Sequence, residues 1–177
     1  MLLTIYRGII YAGTLMKGIM AKTKNKKKLK RKYVFKEKSP MSHYKADAFV
    51  VRCVDNRFWA VAKHFIEELG LKFIDPKFPA GGAKVFSSPF GKSERRHYIR
   101  QLEISIRLHH VKRVMLFTHH DCGAYGGFAN FNENAEKELV FHIAEHKKAI
   151  KTIRKHFPGL KVETYFLDEV GVIKTGK

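Results

Sequence analysis

The chain has 177 residues, with 35 lysines and arginines against 16 aspartates and glutamates, a formal charge of +19 at pH 7. That length suffices for one hydrophobic core with a tail to spare, and a hydrophobic content of 45% is ordinary for a globular domain. Two cysteines are too few for the disulfide framework of a secreted domain, so the expected location is the cytoplasm.

The charge is unevenly spread. Residues 1–40 hold 12 basic residues and one acid, Glu37, whereas residues 41–177 hold 23 basic residues and 15 acids. Met1–Met20 is moderately apolar, but Arg7 and Lys17 interrupt it, and it is too short and broken to read as a membrane span. The run AKTKNKKKLKRKYVFKEK, Ala21 to Lys38, repels itself and cannot bury a core, which predicts a disordered basic extension over 1–40. Such a tail offers nonspecific electrostatic contact to an anionic partner, nucleic acid or an anionic surface. A solvated tail that only aids solubility is the plainer alternative.

From Met41 the pattern alternates between strands and helices. ADAFVVRC is a continuous valine-rich run, as in a strand buried on both faces. Phe58–Leu69 places Trp59, Ala62, Phe65, Ile66 and Leu69 at helical spacing, with Gly70 as C-cap. LKFID reads as a second strand, and FPAGGAKVFSSPFGKS as a loop by its glycines and prolines. A helix capped by Ser93 runs to about His110 with Ile99, Leu102, Ile106 and His109 along one side. RVMLFT is a third strand. After a glycine-rich turn, Glu133–His156 reads as a long helix, and KVETYFLD as the last strand. The alternation predicts a single α/β domain over 41–177, a mainly parallel β-sheet flanked by helices.

Both cysteines fall at carboxyl ends of predicted parallel strands, where open α/β sheets place their ligand crevice. Cys53 is followed by Asp55 and Arg57 in CVDNR, and Cys122 by Gly123 in THHDCG, with His119 three residues before it. We expect Gly123 to let the backbone fold away from this turn. Two thiolates and one imidazole make a three-ligand set suited to zinc, with a fourth position open, the arrangement of catalytic rather than structural sites. Asp55 can then accept a hydrogen bond from a hydroxide on the metal and aim its lone pair, and the Arg57 guanidinium can hold that carboxylate. A disulfide is disfavoured by the absent secretory context, and two inert buried cysteines by the polar groups at fixed offsets. Adjacent residues of an extended segment point to opposite sides, which selects His119 over His120. His97, His109, His110, His142, His146 and His156 fall in predicted helices and read as surface or internally satisfied groups.

CVDNR at 53–57 and HHDCG at 119–123 resemble the Cys-x-Asp-x-Arg and His-x-x-Cys-Gly motifs of the β-class carbonic anhydrases. RQLEISIRLHHVKRVMLFTHHDCGA is similar to that family's helix, strand and zinc turn, PAGGA at 79–83 to its glycine loop, and VETYFLDEVGVIKTG to its last strand and following turn. The resemblance covers roughly residues 46–176. It implies that Cys53, His119 and Cys122 ligate one zinc ion, with Asp55 and Arg57 as the catalytic dyad. It implies reversible hydration of carbon dioxide to bicarbonate and a proton by zinc-bound hydroxide, in a homodimer or higher homo-oligomer. Phe78-Pro79 stands where the family has an arginine-asparagine pair, Asn56 where serine is common, and the basic tail where an N-terminal helical arm is usual. Two alternatives share the ligand set: a zinc hydrolase of carbonyl sulfide or carbon disulfide, and a non-catalytic zinc protein whose basic tail binds nucleic acid.

Overall fold

A computed structural model describes residues 31–176. Met1–Met20 and most of the basic run, and with them the expectations drawn for both, lie outside the described residues. Residues 31–40 are exposed and form no regular element. From Ser42 onward the chain is one compact unit.

Five strands form one sheet in the order β2-β1-β3-β4-β5: β1 Ala48–Val51, β2 Ile74–Lys77, β3 Arg113–His119, β4 Lys161–Leu167 and β5 Val172–Gly176. The first four are parallel, and β5 runs antiparallel to β4. Strand side chains alternate between faces, and each face has its own cover. Phe49, Val51, Val114, Leu116 and Val162 pack against helices α2 (Lys84–Ser87), α3 (Lys92–His109) and α4 (Ala135–His156). Ala48, Val50, Met115, Phe117, Tyr165 and Leu167 pack against α1 (Trp59–Glu68) through Ala62, Phe65 and Ile66. With both faces covered, the central strands read as continuous apolar runs rather than alternating, β1 throughout and β3 over Val114–Phe117. Each fully buried side chain of this size contributes about 1.5–3 kcal/mol.

The expected architecture is therefore observed, with local corrections. The segment read as an uninterrupted loop contains α2, whose Val85 and Phe86 are fully buried; four residues are too few to show a helical period. β5 replaces the turn expected after the last strand. Its half-exposed sequence VIKTG has no apolar run, and pairing with β4 is what makes it a strand. α3 begins at Lys92, with Gly91 and not Ser93 at the N-cap. α4 begins at Ala135, where the Asn134 side chain accepts the Lys137 N–H. His110 is not a helical residue but the left-handed cap of α3 at φ 57°.

One buried polar cluster ties α3 to the sheet edge. Asp75 on β2 accepts from Tyr44 Oη (2.8 Å), His109 Nδ1 (2.8 Å) and the Ser105 hydroxyl. Among the described residues no helix is long and apolar enough to cross a membrane.

Candidate metal centre

β1 and β3 are adjacent and parallel, so their carboxyl ends emerge side by side. Cys53 follows β1 by two residues, His119 is the last residue of β3, and Cys122 lies in the turn after it. Their ligand atoms all lie within 4.8 Å of one another, and the two sulfurs are 4.0 Å apart. All three residues are buried. The His119 Nδ1–H donates to the His120 carbonyl at 2.7 Å, which leaves the Nε2 lone pair free. That Nε2 atom is buried and has no hydrogen-bond partner. The Phe58 ring stacks on the imidazole at 4.6 Å and holds its plane.

One of the two sulfurs is prepared for charge. The hydrogen bond with Cys122 pulls the Cys53 thiol well below its ordinary pKa, with His119 and the Asp55 and Gly81 backbone helping against burial. Gly81 N–H reaches Cys53 Sγ at 3.2 Å. Cys122 is pushed up by the same pairing, because two neighbouring thiolates cannot both ionise without a cation. An orphaned imidazole nitrogen facing two sulfurs, one of them readily ionised, is a donor set that fits a divalent metal ion of borderline softness.

Asp55 and Arg57 stand at the rim. Asp55 Oδ2 lies 3.9 Å from His119 Nε2. Arg57 grips the carboxylate through Nη2 at 2.7 Å and Nε at 3.0 Å, and its backbone N–H adds a bond at 2.9 Å. These side-chain bonds lead the effects that hold the Asp55 carboxyl at about 2, below its ordinary value. The structure thus brings Cys53, Asp55, Arg57, His119 and Cys122 to one place.

Several supporting groups were not anticipated. Arg57 also donates to Asp121, through Nη1 to Oδ2 and Nη2 to the carbonyl, both at 3.0 Å. Asp121 carries the turn's left-handed conformation, φ 53°. Gly123 does not, which corrects the role expected of it: its φ is not positive, and an added Cβ would meet nothing within 4 Å. Glu138 on α4 is fully buried under the turn, accepting from the Asp121 N–H at 2.8 Å and pairing with His120. A glutamate on an amphipathic helix carries no sequence signal for such a role, whereas Asp121 sits inside HHDCG.

Arg52 is buried, donates Nη1 to the Cys53 carbonyl at 2.8 Å, and lies against the rings of Trp59 (4.4 Å) and Phe78 (4.3 Å). Trp59 therefore faces this guanidinium rather than the core. The glycine loop closes over the strand ends, and Gly82 (φ 55°) leaves no room for a side chain: a Cβ would come 2.1 Å from the Phe117 carbonyl oxygen.

The helical histidines divide. His146 bonds Thr118 at 3.0 Å and Thr175 at 2.7 Å, and His109 bonds Asp75. His142 breaks the expectation of surface or satisfied groups: it is fully buried among Tyr125, Phe131, Phe141 and Phe166, and neither ring nitrogen has a partner. Burial pushes its pKa down to about 3.

A family model described as "Putative carbonic anhydrase" matches residues 43–175, three quarters of the chain. The chain belongs to this carbonic anhydrase family. The resemblance to carbonic anhydrases is borne out at the level of family and fold. Carbonic anhydrase from Streptococcus mutans is 16% identical and covers 99% of this chain and 100% of its own, at a TM-score of 0.52. Carbonic anhydrase from Glaciozyma antarctica, also 16% identical, covers 97% and 98% at 0.51. At such identities the likeness is one of fold. An uncharacterized protein of Rickettsia bellii (strain RML369-C) is 30% identical over 135 residues, 73% of this chain and 80% of its own.

Proposed function

We propose that this protein is a zinc-dependent carbonic anhydrase that interconverts carbon dioxide and water with bicarbonate and a proton. The supporting observation is the convergence of Cys53, His119 and Cys122 within 4.8 Å beside an Asp55 carboxylate held by Arg57. Zinc bound by these three side chains would lower the pKa of a water molecule toward about 7, supplying a nucleophile near neutral pH.

The chain's own residues supply the orientation. Ionised Asp55 only accepts hydrogen bonds, so it takes a proton-bearing edge of the attacking water and turns the lone pair toward the substrate carbon. Arg57 keeps the carboxylate ionised and fixes its plane through a two-pronged contact. Its third prong on Asp121 ties the two motif turns together. Asp55 is partly accessible, so the proton it orients has a route to solvent.

Within this reading residues 41–177 are the catalytic domain and 1–40 a basic extension, and the protein acts as a cytoplasmic homo-oligomer. Carbonyl sulfide and carbon disulfide, which like carbon dioxide are small uncharged molecules with an electrophilic carbon, form the second reading.

Stopped-flow carbon dioxide hydration, with zinc measured on the same sample, tests the proposal. One zinc per chain with fast hydration, lost in Asp55→Ala, is the expected result. Zinc without hydration would overturn it, and turnover of carbonyl sulfide by that sample would establish the second reading.

A further inference from the structure

The covers of the two sheet faces differ in charge. On the α3–α4 side the exposed cations are Lys92, Arg96, Arg100 and Arg107 of α3, and Lys137, Lys147, Lys148, Lys151, Arg154 and Lys155 of α4. The exposed acids of the same two helices are Glu103 and Glu136. Ten cations against two acids leave a net of +8. Residues 41–177 as a whole, 23 against 15, also sum to +8. With the less exposed Arg95, Glu94, Glu138 and Glu145 included, the two helices hold eleven cations and five acids, a net of +6, so one helical layer carries most of the folded domain's excess charge. On the opposite side α1 exposes Lys63, Glu67 and Glu68, and Lys63 pairs with Glu67 at 3.5 Å.

The layer is built against its own helices. Lys92 and Arg96, Arg96 and Arg100, Lys147 and Lys151, and Lys151 and Lys155 are like charges four residues apart, which disfavour a helix. Of the ten cations, Lys148 alone has an ion pair among the described residues, with buried Glu145 at 2.7 Å. The favourable interaction of cations with a helix carboxyl end reaches only the last turn. It accounts for Arg154 and Lys155 but not for Lys147, Lys148 and Lys151. The α3 row spans about 22 Å and the α4 row about 12 Å, at about 1.5 Å per residue.

We infer that the α3–α4 face is a docking surface for a nucleic-acid backbone, read by charge without base recognition. An anionic bilayer fits less well, because neither helix exposes a phenylalanine, tyrosine or tryptophan to enter it: their exposed apolar groups are Leu108, Ala135, Val140 and Ala144, and Phe90, an exposed aromatic nearby, lies in the loop before α3. A polyphosphate matches what is present, rows of exposed lysine and arginine along two helices. The gain comes from release of counterions and relief of like-charge repulsion. The surface is distinct from the metal centre, so the inference stands apart from the proposed activity.

The test uses the full chain and a fluorescent DNA duplex of about 20 base pairs, titrated by anisotropy between about 50 and 200 mM salt. Wild type is compared with a variant carrying Arg96→Gln, Arg100→Gln, Lys147→Gln, Lys151→Gln and Arg154→Gln. Residues 1–40 are present in both, so the difference reports the helices alone. The expected result is affinity at least about tenfold weaker, with a salt slope shallower by about 0.9 for each phosphate that the variant no longer neutralises. Equal thermal midpoints and equal zinc contents establish that both proteins are folded. Equal affinities and slopes would overturn the inference, as would no duplex binding by wild type. Binding to phosphatidylserine vesicles with no binding to duplex would reassign the face to membranes.

Discussion

The Sγ atoms of Cys53 and Cys122 lie 4.0 Å apart although 69 positions separate them in the chain. Parallel pairing of β1 with β3 makes them neighbours, and the orphaned Nε2 of His119 completes the group. Removing any one donor should therefore disable metal binding. We expect Cys53→Ser, Cys122→Ser and His119→Ala each to weaken zinc affinity by more than about 100-fold in chelator competition. Glu138→Gln, which loosens the turn without touching a donor, should cost about 10–100-fold, the range for outer supporting groups. Stoichiometric, tight zinc in Cys122→Ser would sink the assignment.

Asp55 and Arg57 should matter to turnover and not to metal content. Asp55→Asn keeps the shape but loses an acceptor, and the expected loss is about 10²–10⁴-fold in hydration, the range of positioned acid–base groups. Arg57→Lys retains a charge but not the fork that grips two carboxylates, so it should fall between wild type and Arg57→Ala. If Arg57→Lys hydrates as fast as wild type, the two-pronged grip has no catalytic weight.

Gly82→Ala probes the loop over the strand ends. Its positive φ alone disfavours a side chain by about 1–2 kcal/mol, and the clash with the Phe117 carbonyl adds to that. The expected loss of stability exceeds about 2 kcal/mol on the scale of such strained substitutions, measured by urea unfolding. Gly123→Ala, where a Cβ meets nothing and φ is not positive, should be nearly neutral. A neutral Gly82→Ala would mean that the loop yields without cost.

His142 makes a pH prediction. Its folded pKa of about 3 lies below its ordinary 6.5, so the unfolded chain binds the proton first as pH falls. Its contribution is intact above 6.5 and is lost as pH drops from there toward 3. The slope from this residue is about 1.4 kcal/mol per pH unit at most. His142→Leu suits the surrounding Phe131, Phe141 and Phe166, and should flatten the profile across that window without loss of stability at about pH 8, where the histidine is neutral in both states. An unaltered slope in this variant would show that another group carries the acid sensitivity.

Much of the architecture was legible because periodicity is a local property. Runs such as AFVV and RVMLF can only be buried on both faces, and apolar residues spaced three and four apart mark α1, α3 and α4. Where the local signal is short or mixed, as in α2 and β5, the element exists through its packing and pairing and was missed.

The sequence by itself determined the fold class, the family-like pair of motifs and the residue types able to hold a metal, since each is written within a few consecutive positions. Only the tertiary structure decided that Glu138 supports the metal turn, that Arg57 also grips Asp121, that His142 is buried without a partner, and that one helical layer carries most of the charge excess. These are relations between residues far apart in the chain. Parallel strand order and helix packing set them, and no local pattern of side chains encodes the distance between two such groups.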